Sequence, residues 1–508
     1  EASCPEIQGR GIEPTFADDI DMCRRLSLDL LGTVPTPEQL AADCEGRELG
    51  EIVDDFIARP EYVVLGQRLW ADKLRMTSTI TYYEYLETLD QLTAQLYTGE
   101  LTLDELAIRV ATHPGYTGRF DGQDLVGYNF LAFLGRDAAP HERLDLQALW
   151  HLWEERYVEM HPTYFFGYTR VVVNTIVCEY TPWACHSELW GHNSVVVPWP
   201  VPDDYDYEGP NVLAVEDLDD DTWAELRKAG ELLTQQPSFY ESAVDESLLR
   251  YLGYKAGVQI PLVRQKLVDM LAQSGGDIRT IEREILTSQL YRMASAYPDP
   301  EGTLEEDGSP DFWHGPMKQM TAEHWLDSIE ELTDIELGHC DHRYPEVIAG
   351  APTPDADYSE YVWHPNDYPK DPDPIWPVEA NKPDYAYRDL ARALGGCPDQ
   401  ESQLRFTGTG VMIALSQSDI AQAVCAQVGP GAPVLPPGLV ADDTSPDSYD
   451  AAVRHIYQTI TLRELPEDLE ESLALAVDGC AGDAECNAAI ISFHMCTTLL
   501  GSAEFVFY

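Results

Sequence analysis

The residues best suited to chemistry lie together in the segment CEYTPWACHSELWGH, residues 178–192. Two thiols followed directly by a histidine, here Cys178, Cys185 and His186, are the groups that hold a c-type haem, with the histidine ligating the iron. The usual spacer is two residues, whereas residues 179–184 separate these cysteines. The pattern therefore favours a Cys178–Cys185 disulfide, which would stabilise the fold by about 2 to 4 kcal/mol. Covalent haem and another metal are the alternatives.

A second cluster, HCDHR, carries side chains that ligate transition metals. His339 and His342 flank Cys340, and all three suit zinc or copper if the segment is extended. One short cluster does not fill a tetrahedral site by itself. Surface histidines beside a disulfide cysteine are therefore the favoured interpretation.

Acidic residues far outnumber basic ones, 89 against 32, which gives a formal net charge of −57. Such a charge repels itself unless salt screens it or cations bind, and it makes nucleic acid and anionic membranes poor partners. Dense carboxylates in residues 203–208 and 216–221 suit Ca²⁺, although neither segment has the EF-hand spacing. Asp219 and Asp221 are the calcium candidates. The composition thus predicts a saline habitat, bound calcium, or both. For scattered surface aspartates and glutamates, solubility alone is the favoured interpretation.

The sequence contains no motif that identifies a catalytic residue. The chain contains no GxSxG elbow, P-loop, HExxH or GxGxxG pattern, and its carboxylates are too numerous to select a pair by residue type. In the segment FHMC, His494 and Met495 are residue types that ligate haem iron, but the apolar pattern around them favours a core helix. The sequence therefore favours a role other than catalysis.

Cysteine usage predicts an oxidising compartment. Eleven cysteines include pairs at short separations, such as Cys480 and Cys486, and none forms a CxxC motif. The odd count leaves at least one of them unpaired. The sequence opens at Glu1 without an initiator Met, so we interpret it as a mature exported form, and no run of about 18 apolar residues predicts a membrane span. We expect an extracellular, cell-surface or periplasmic protein.

Helices dominate the expected fold. Residues 17–31 open with acidic residues, carry apolar positions at helical spacing and stop at Gly32, while Thr36 and Pro37 begin a second helix. The β-branched runs within residues 168–200 predict a small β element. The expected class is mainly α, a multi-helix body with long irregular loops rich in proline and aspartate.

The changes in composition divide the chain into two helical domains. The N-terminal domain covers residues 1–200 and ends in the Cys/His/Trp segment, and residues 201–222 form an acidic linker. The C-terminal domain covers residues 223–508, with long loops at 298–312 and 350–384. Loops of that length either wrap the surface or bind a partner.

Several segments resemble, in the same order, a known family. CRRLSLDLLGTVPTPEQL and VDDFIARPEYVVLGQRLWADKL resemble the opening of a domain of unknown function found fused behind planctomycete cytochrome c modules. LVDMLAQSGGDIRTIEREILTSQLYRMAS, MTAEHWLDSI, GTGVMIALSQSDIAQAV and LLGSAEFVFY are similar to its companion domain. The resemblance covers most of the chain and implies an exported, largely helical bacterial protein without an assigned reaction.

The family often carries Cys-x-x-Cys-His-x-His-Pro near the position of Cys178. This chain keeps the Cys185–His186 pair and departs from the spacing, which weakens the haem interpretation. The favoured hypothesis is an exported, disulfide-stabilised binding or structural protein that assembles with itself or with a surface partner. The alternatives are an electron-transfer protein with haem at Cys178, Cys185 and His186, and an enzyme that acts on an exported polysaccharide through aromatic clusters such as Trp183 and Trp190.

Overall fold

Helices form nearly all the regular structure in the part of the chain that a computed structural model describes. The described residues are 15–75, 83–113, 116, 122–147, 220–253, 260–294, 318–338, 390–396, 411–467, 469–470 and 486–508. Within these ranges, strand-like pairing is limited to two isolated bridges, Phe16 with Met293 and Gln319 with Phe507. The mainly α prediction is confirmed. The β element expected within 168–200 lies outside the described residues, as do the predicted loops at 298–312 and 350–384.

The described helices lie before the predicted acidic linker or after it, except that α8 begins within its last three residues. Those before it are α1 Asp19–Leu30, α2 Pro37–Asp43, α3 Leu49–Ile57, α4 Pro60–Lys73, α5 Tyr83–Thr98, α6 Leu103–Thr112 and α7 Gly122–Leu134. Those that follow are α8 Asp220–Leu226, α9 Lys228–Thr234, α10 Ser238–Leu252, α11 Pro261–Gln273, α12 Ile278–Leu286, α13 Gln289–Arg292, α14 Ala322–Thr333, α15 Val411–Cys425, α16 Pro446–Thr461, α17 Ala488–Leu500 and α18 Ala503–Val506.

Side-chain caps fix where several of these helices begin. The Asp18 carboxylate accepts a hydrogen bond from the Asp21 amide at the start of α1. Thr36 and Gln39 form a reciprocal capping box at the start of α2, with Pro37 in the first helical position. The Asp277 carboxylate caps α12 by accepting a hydrogen bond from the Arg279 amide. These starts follow from residue types that satisfy exposed backbone N–H groups.

The first hydrophobic core combines helices from both sides of the predicted linker. It takes buried side chains from α1 and α3–α7 and also from α9–α13. Between positions 49 and 74, Ile52, Phe56 and Trp70 are buried, whereas Val63 and Leu69 are half-buried. At the crossing of α9 and α6, a Cβ on Gly230 would lie 2.3 Å from the Cα of Ile108, so only glycine fits.

The second core is built mainly from α14 to α18. The buried Trp325 indole donates to the carbonyl of Leu500, 3.0 Å away, and so ties α14 to the end of α17. Leu28 of α1 and the nearby Val34 belong to this core, although their neighbours Leu26 and Leu30 belong to the first. Helix α1 is thus shared by both cores. The domain boundary at 201–222 lies mostly outside the described residues and stays a prediction.

Each core contains one described disulfide. Cys23 of α1 is bonded to Cys44, and Cys425 of α15 is bonded to Cys496 of α17. All four side chains are buried, and Cys486 is also disulfide-bonded. The protein is therefore disulfide-stabilised, as the cysteine pattern predicts. Among the described helices, none has the length and apolar character needed to cross a membrane.

Candidate functional site

A cleft of about 80 Å³ lies among α4–α7, α10 and α12. Helix α10 contributes Ser242, Glu246 and Arg250, which are spaced one turn apart and therefore share one helix face. The walls are largely apolar, and the rings of Trp70 and Phe133 lie 5.4 Å apart between centroids. The space is sufficient for a few water molecules or one small solute.

Two ion pairs set the charge of the cleft. Lys73 pairs with Glu246, and its ammonium lies 4.3 Å from the centroid of the Trp70 ring. Arg250 pairs with Glu282 at 3.6 Å, and this second pair is the more deeply buried. Because two cations face two anions, the lining carries no net charge. A neutral lining disfavours strongly charged ligands and suits a small polar solute.

Glu282 is the most deeply buried charged group of the cleft, with 4% of its side chain exposed. The Tyr62 hydroxyl donates to its carboxylate at 2.6 Å. Burial, together with the negative charge of Glu282, raises the pKa of Tyr62 well above its ordinary value, and the same causes raise the pKa of Tyr97. The surrounding tyrosines therefore keep their protons and remain donors.

Arg250 connects the cleft to a second buried group around Asp29 of α1. Its guanidinium donates to the Asp29 carbonyl at 3.1 Å. The Asp29 carboxylate receives hydrogen bonds from the Lys318 ammonium, from the Tyr291 hydroxyl at 2.8 Å and from the Tyr508 hydroxyl at 3.0 Å. Burial lowers the pKa of Lys318 to about 8, against the opposing attraction of Asp29. We refer to Asp29, Lys318, Tyr291 and Tyr508 as the Asp29 cluster.

Two arginines of α1 extend these contacts to the backbone of both cores. Arg24 donates to the carbonyl of Phe505 at 2.7 Å, on the side of the second core. Arg25 donates to the carbonyls of Tyr291 at 2.5 Å and Met293 at 3.1 Å, on the side of the first. Burial lowers the pKa of Arg24 to about 10. Helix α1 therefore holds the two cores together through buried charge-assisted hydrogen bonds.

The cleft and the Asp29 cluster form one continuous polar network. Its members are joined in the order Lys318, Asp29, Arg250, Glu282 and Tyr62. Buried charges of this kind are stable only when each has a partner, so the network depends on its members as a set. The network can hold the two cores in a fixed relative position, and it can hold Arg250 and Glu282 in place in the lining of the cleft.

The residues that the sequence singled out lie elsewhere or outside the described residues. The residues that lie outside the described part of the chain are Cys178, Cys185, His186, Asp219, His339 and His342. Asp221 is exposed in the first turn of α8. The described residues contain no group of three or more histidines, cysteines or carboxylates that could hold a metal ion. The haem, calcium and transition-metal assignments stay predictions.

The segment FHMC forms a core helix, as its apolar pattern predicts. His494, Met495 and Cys496 all lie within α17. Cys496 is 2% exposed and bonded to Cys425, Met495 is half-buried against the second core, and His494 is exposed. Met495 and Cys496 therefore serve the packing of the second core, while His494 faces outward.

The residue types of α1 do not by themselves indicate that its charged side chains are buried. Every residue from Met22 to Leu30 is buried, including Arg24, Arg25 and Asp29. An ordinary surface helix keeps its charges on one exposed face. Arg25 and Asp29 lie four apart and Met22 lies three before Arg25, so the spacing places both charges on one face with an apolar residue.

A known protein family matches the N-terminal part of the chain. Residues 6–97 match the family model PSCyt2, described as a protein of unknown function (DUF1549). No curated protein and no solved structure matches the chain. The match supports the resemblance of the opening segments and includes Arg24, Arg25 and Asp29. The link to cytochrome c modules and the companion domain stay predictions.

Proposed function

We propose that the protein is an exported, disulfide-stabilised helical protein that assembles with copies of itself or with a partner at the cell surface. The observation that supports export and a disulfide-stabilised fold is the presence of one buried disulfide in each core, Cys23–Cys44 and Cys425–Cys496. Structural disulfides form and persist in oxidising compartments and are rare in the cytosol.

The ion pairs of the surface support a saline environment. Arg59 is hydrogen-bonded to Asp43 and to Asp55, and several other basic side chains likewise bridge two carboxylates. With 89 acidic residues and only 32 basic ones, the carboxylates as a set nevertheless keep a large excess of negative charge. Dissolved salt reduces their mutual repulsion over a Debye length of about 8 to 10 Å.

The cleft supports a binding or structural role. Its four charged side chains form two ion pairs with one another, and Glu282 also accepts a hydrogen bond from Tyr62. Groups that are held in this way stabilise the fold and leave the lining neutral. The extension of the network to α1 fits a body whose two cores must stay in one arrangement.

Size-exclusion chromatography with light scattering tests the assembly. The purified chain is measured from 0.05 to 2 M NaCl, with and without CaCl₂, and its co-sedimentation with isolated cell envelopes is measured in parallel. We expect a mass above that of the monomer, or binding to envelopes, that increases with salt. A monomer under every condition, with no envelope binding, would overturn the proposal.

A further inference from the structure

A patch of exposed apolar side chains lies at the start of α15. Val411 is 77% exposed, Met412 is 74% exposed and Leu415 is 53% exposed. Val411 and Leu415 are one turn apart, and Met412 lies beside them three residues before Leu415, so the three side chains are contiguous on the helix surface. Contiguous apolar surface of this kind marks contact sites more often than isolated exposed residues do.

The patch belongs to a helix that is nearly free of charge. In VMIALSQSDIAQAVC the only ionisable side chain is that of Asp419, because Cys425 is disulfide-bonded. The chain as a whole is 24% charged. The exposed face of α15 therefore differs from the acidic surface that the composition gives to the rest of the molecule.

The opposite face of α15 is firmly anchored. Ile413, Ile420 and Val424 are buried in the second core, and the end of the helix is fixed by the Cys425–Cys496 disulfide. The exposed side chains are thus presented by a helix that is held in place. Such a surface is prepared for contact because little ordering is required when a partner binds.

We propose that this face of α15, defined by Val411, Met412 and Leu415, is the contact through which two copies of the chain associate. The proposal rests on the proposed function. Two chains of charge −57 repel each other wherever their acidic surfaces meet, so the charge-poor face is where they approach at least electrostatic cost. A basic partner would instead be drawn to the acidic surface. The same patch on both copies fits an isologous two-fold contact.

Paired substitutions test the contact. Met412→Gln with Leu415→Gln removes apolar surface without adding charge, and glutamine is compatible with a helix. Leu262→Gln is the matched control, because Leu262 is 75% exposed on α11 among the charged residues Arg264 and Lys266. Dimer dissociation constants are measured by analytical ultracentrifugation in 1 M NaCl, where repulsion is screened.

We expect the double variant to raise the dissociation constant by at least about tenfold and the control to change it less than twofold. Circular dichroism and the thermal midpoint should match those of the wild-type chain in both variants. An unchanged dissociation constant in the double variant would overturn the contact and leave the proposed function standing. A lower thermal midpoint with unchanged association would also overturn it, since the face would then be covered by the chain itself. A monomeric wild-type chain would remove the self-assembly on which the contact rests.

Discussion

The buried pair of Lys318 and Asp29 gives the most quantitative test of how the two cores are joined. The Lys318 side chain is 9% exposed and that of Asp29 is 3% exposed, so both charges lie away from water. Lys318→Met removes the ammonium and leaves the carboxylate buried. Breaking a buried pair from one side costs about 3 to 5 kcal/mol. Because Tyr291 and Tyr508 still donate to Asp29, we expect the lower end, about 3 kcal/mol.

A double-mutant cycle separates the pair from other effects of substitution. Asp29→Asn leaves the lysine without its counter-charge, while the combined variant removes both charges. We expect the combined variant to be less destabilised than the sum of the two single variants by about 2 kcal/mol. Lys266→Met is the matched control, because Lys266 pairs with Glu284 on the surface with 63% of its side chain exposed. That control should change stability by less than about 0.5 kcal/mol.

Urea is the suitable denaturant, since guanidinium is itself a salt. Unfolding is followed by circular dichroism, and hydrogen exchange by mass spectrometry reports on each core separately. If α1 joins the cores, Lys318→Met should increase exchange in peptides from both α12 and α17. A loss of stability equal to that of Lys266→Met, or additivity of the two single variants within about 0.5 kcal/mol, would refute the role assigned to the pair.

Three further predictions concern pH and the disulfides. Burial and the charge of Asp29 raise the pKa of Tyr291 and of Tyr508 well above 10.0. Above about pH 10 the folded state therefore keeps protons that the unfolded state loses, and the free energy of unfolding should fall as the pH rises. The fall should be less steep in Tyr508→Phe, which lacks one of the two hydroxyls. Burial raises the pKa of Glu330 from 4.5 to about 7. As the pH rises from 4.5 to 7, the thermal midpoint of the wild-type chain should therefore fall relative to that of Glu330→Gln. A difference between the two midpoints that stays the same across this range would count against the assignment. Cys23→Ala removes a disulfide between residues 21 apart, and Cys425→Ala removes one between residues 71 apart. In urea unfolding we expect the free energy of unfolding to fall by about 3 kcal/mol and about 4 kcal/mol, respectively, because the longer loop gains more entropy when it is opened. A larger loss in Cys23→Ala would contradict this dependence on loop length.

Local features of the fold could be predicted from the sequence because short-range chemistry decides them. Thr36 and Asp277 cap helices since their side chains satisfy nearby backbone amides, and Pro37 fits the first helical turn. The apolar stripe of α11 likewise places Leu267 and Leu271 in the first core. These signals need only a few neighbouring residues.

Contacts between distant segments could not be predicted in the same way. Gly230 is required by the backbone of Ile108, more than a hundred residues earlier in the chain. In the sequence, Arg24 and Asp29 resemble ordinary surface charges. The partners that bury Asp29 are Tyr291, Lys318 and Tyr508, which are all distant in the chain. Residue types show that a charge exists, whereas its burial depends on which helices surround it. The cleft is missed for the same reason, since six helices supply its lining.

Thiol trapping in cells that naturally produce the protein tests the central claim most directly. Cells are quenched in acid, and free thiols are labelled with a maleimide before and after reduction, with peptide mass spectrometry as the readout. We expect Cys23, Cys44, Cys425 and Cys496 to be labelled only after reduction, in a fraction outside the cytosol. Labelling of these four cysteines without reduction, in protein recovered from the cytosol, would contradict it.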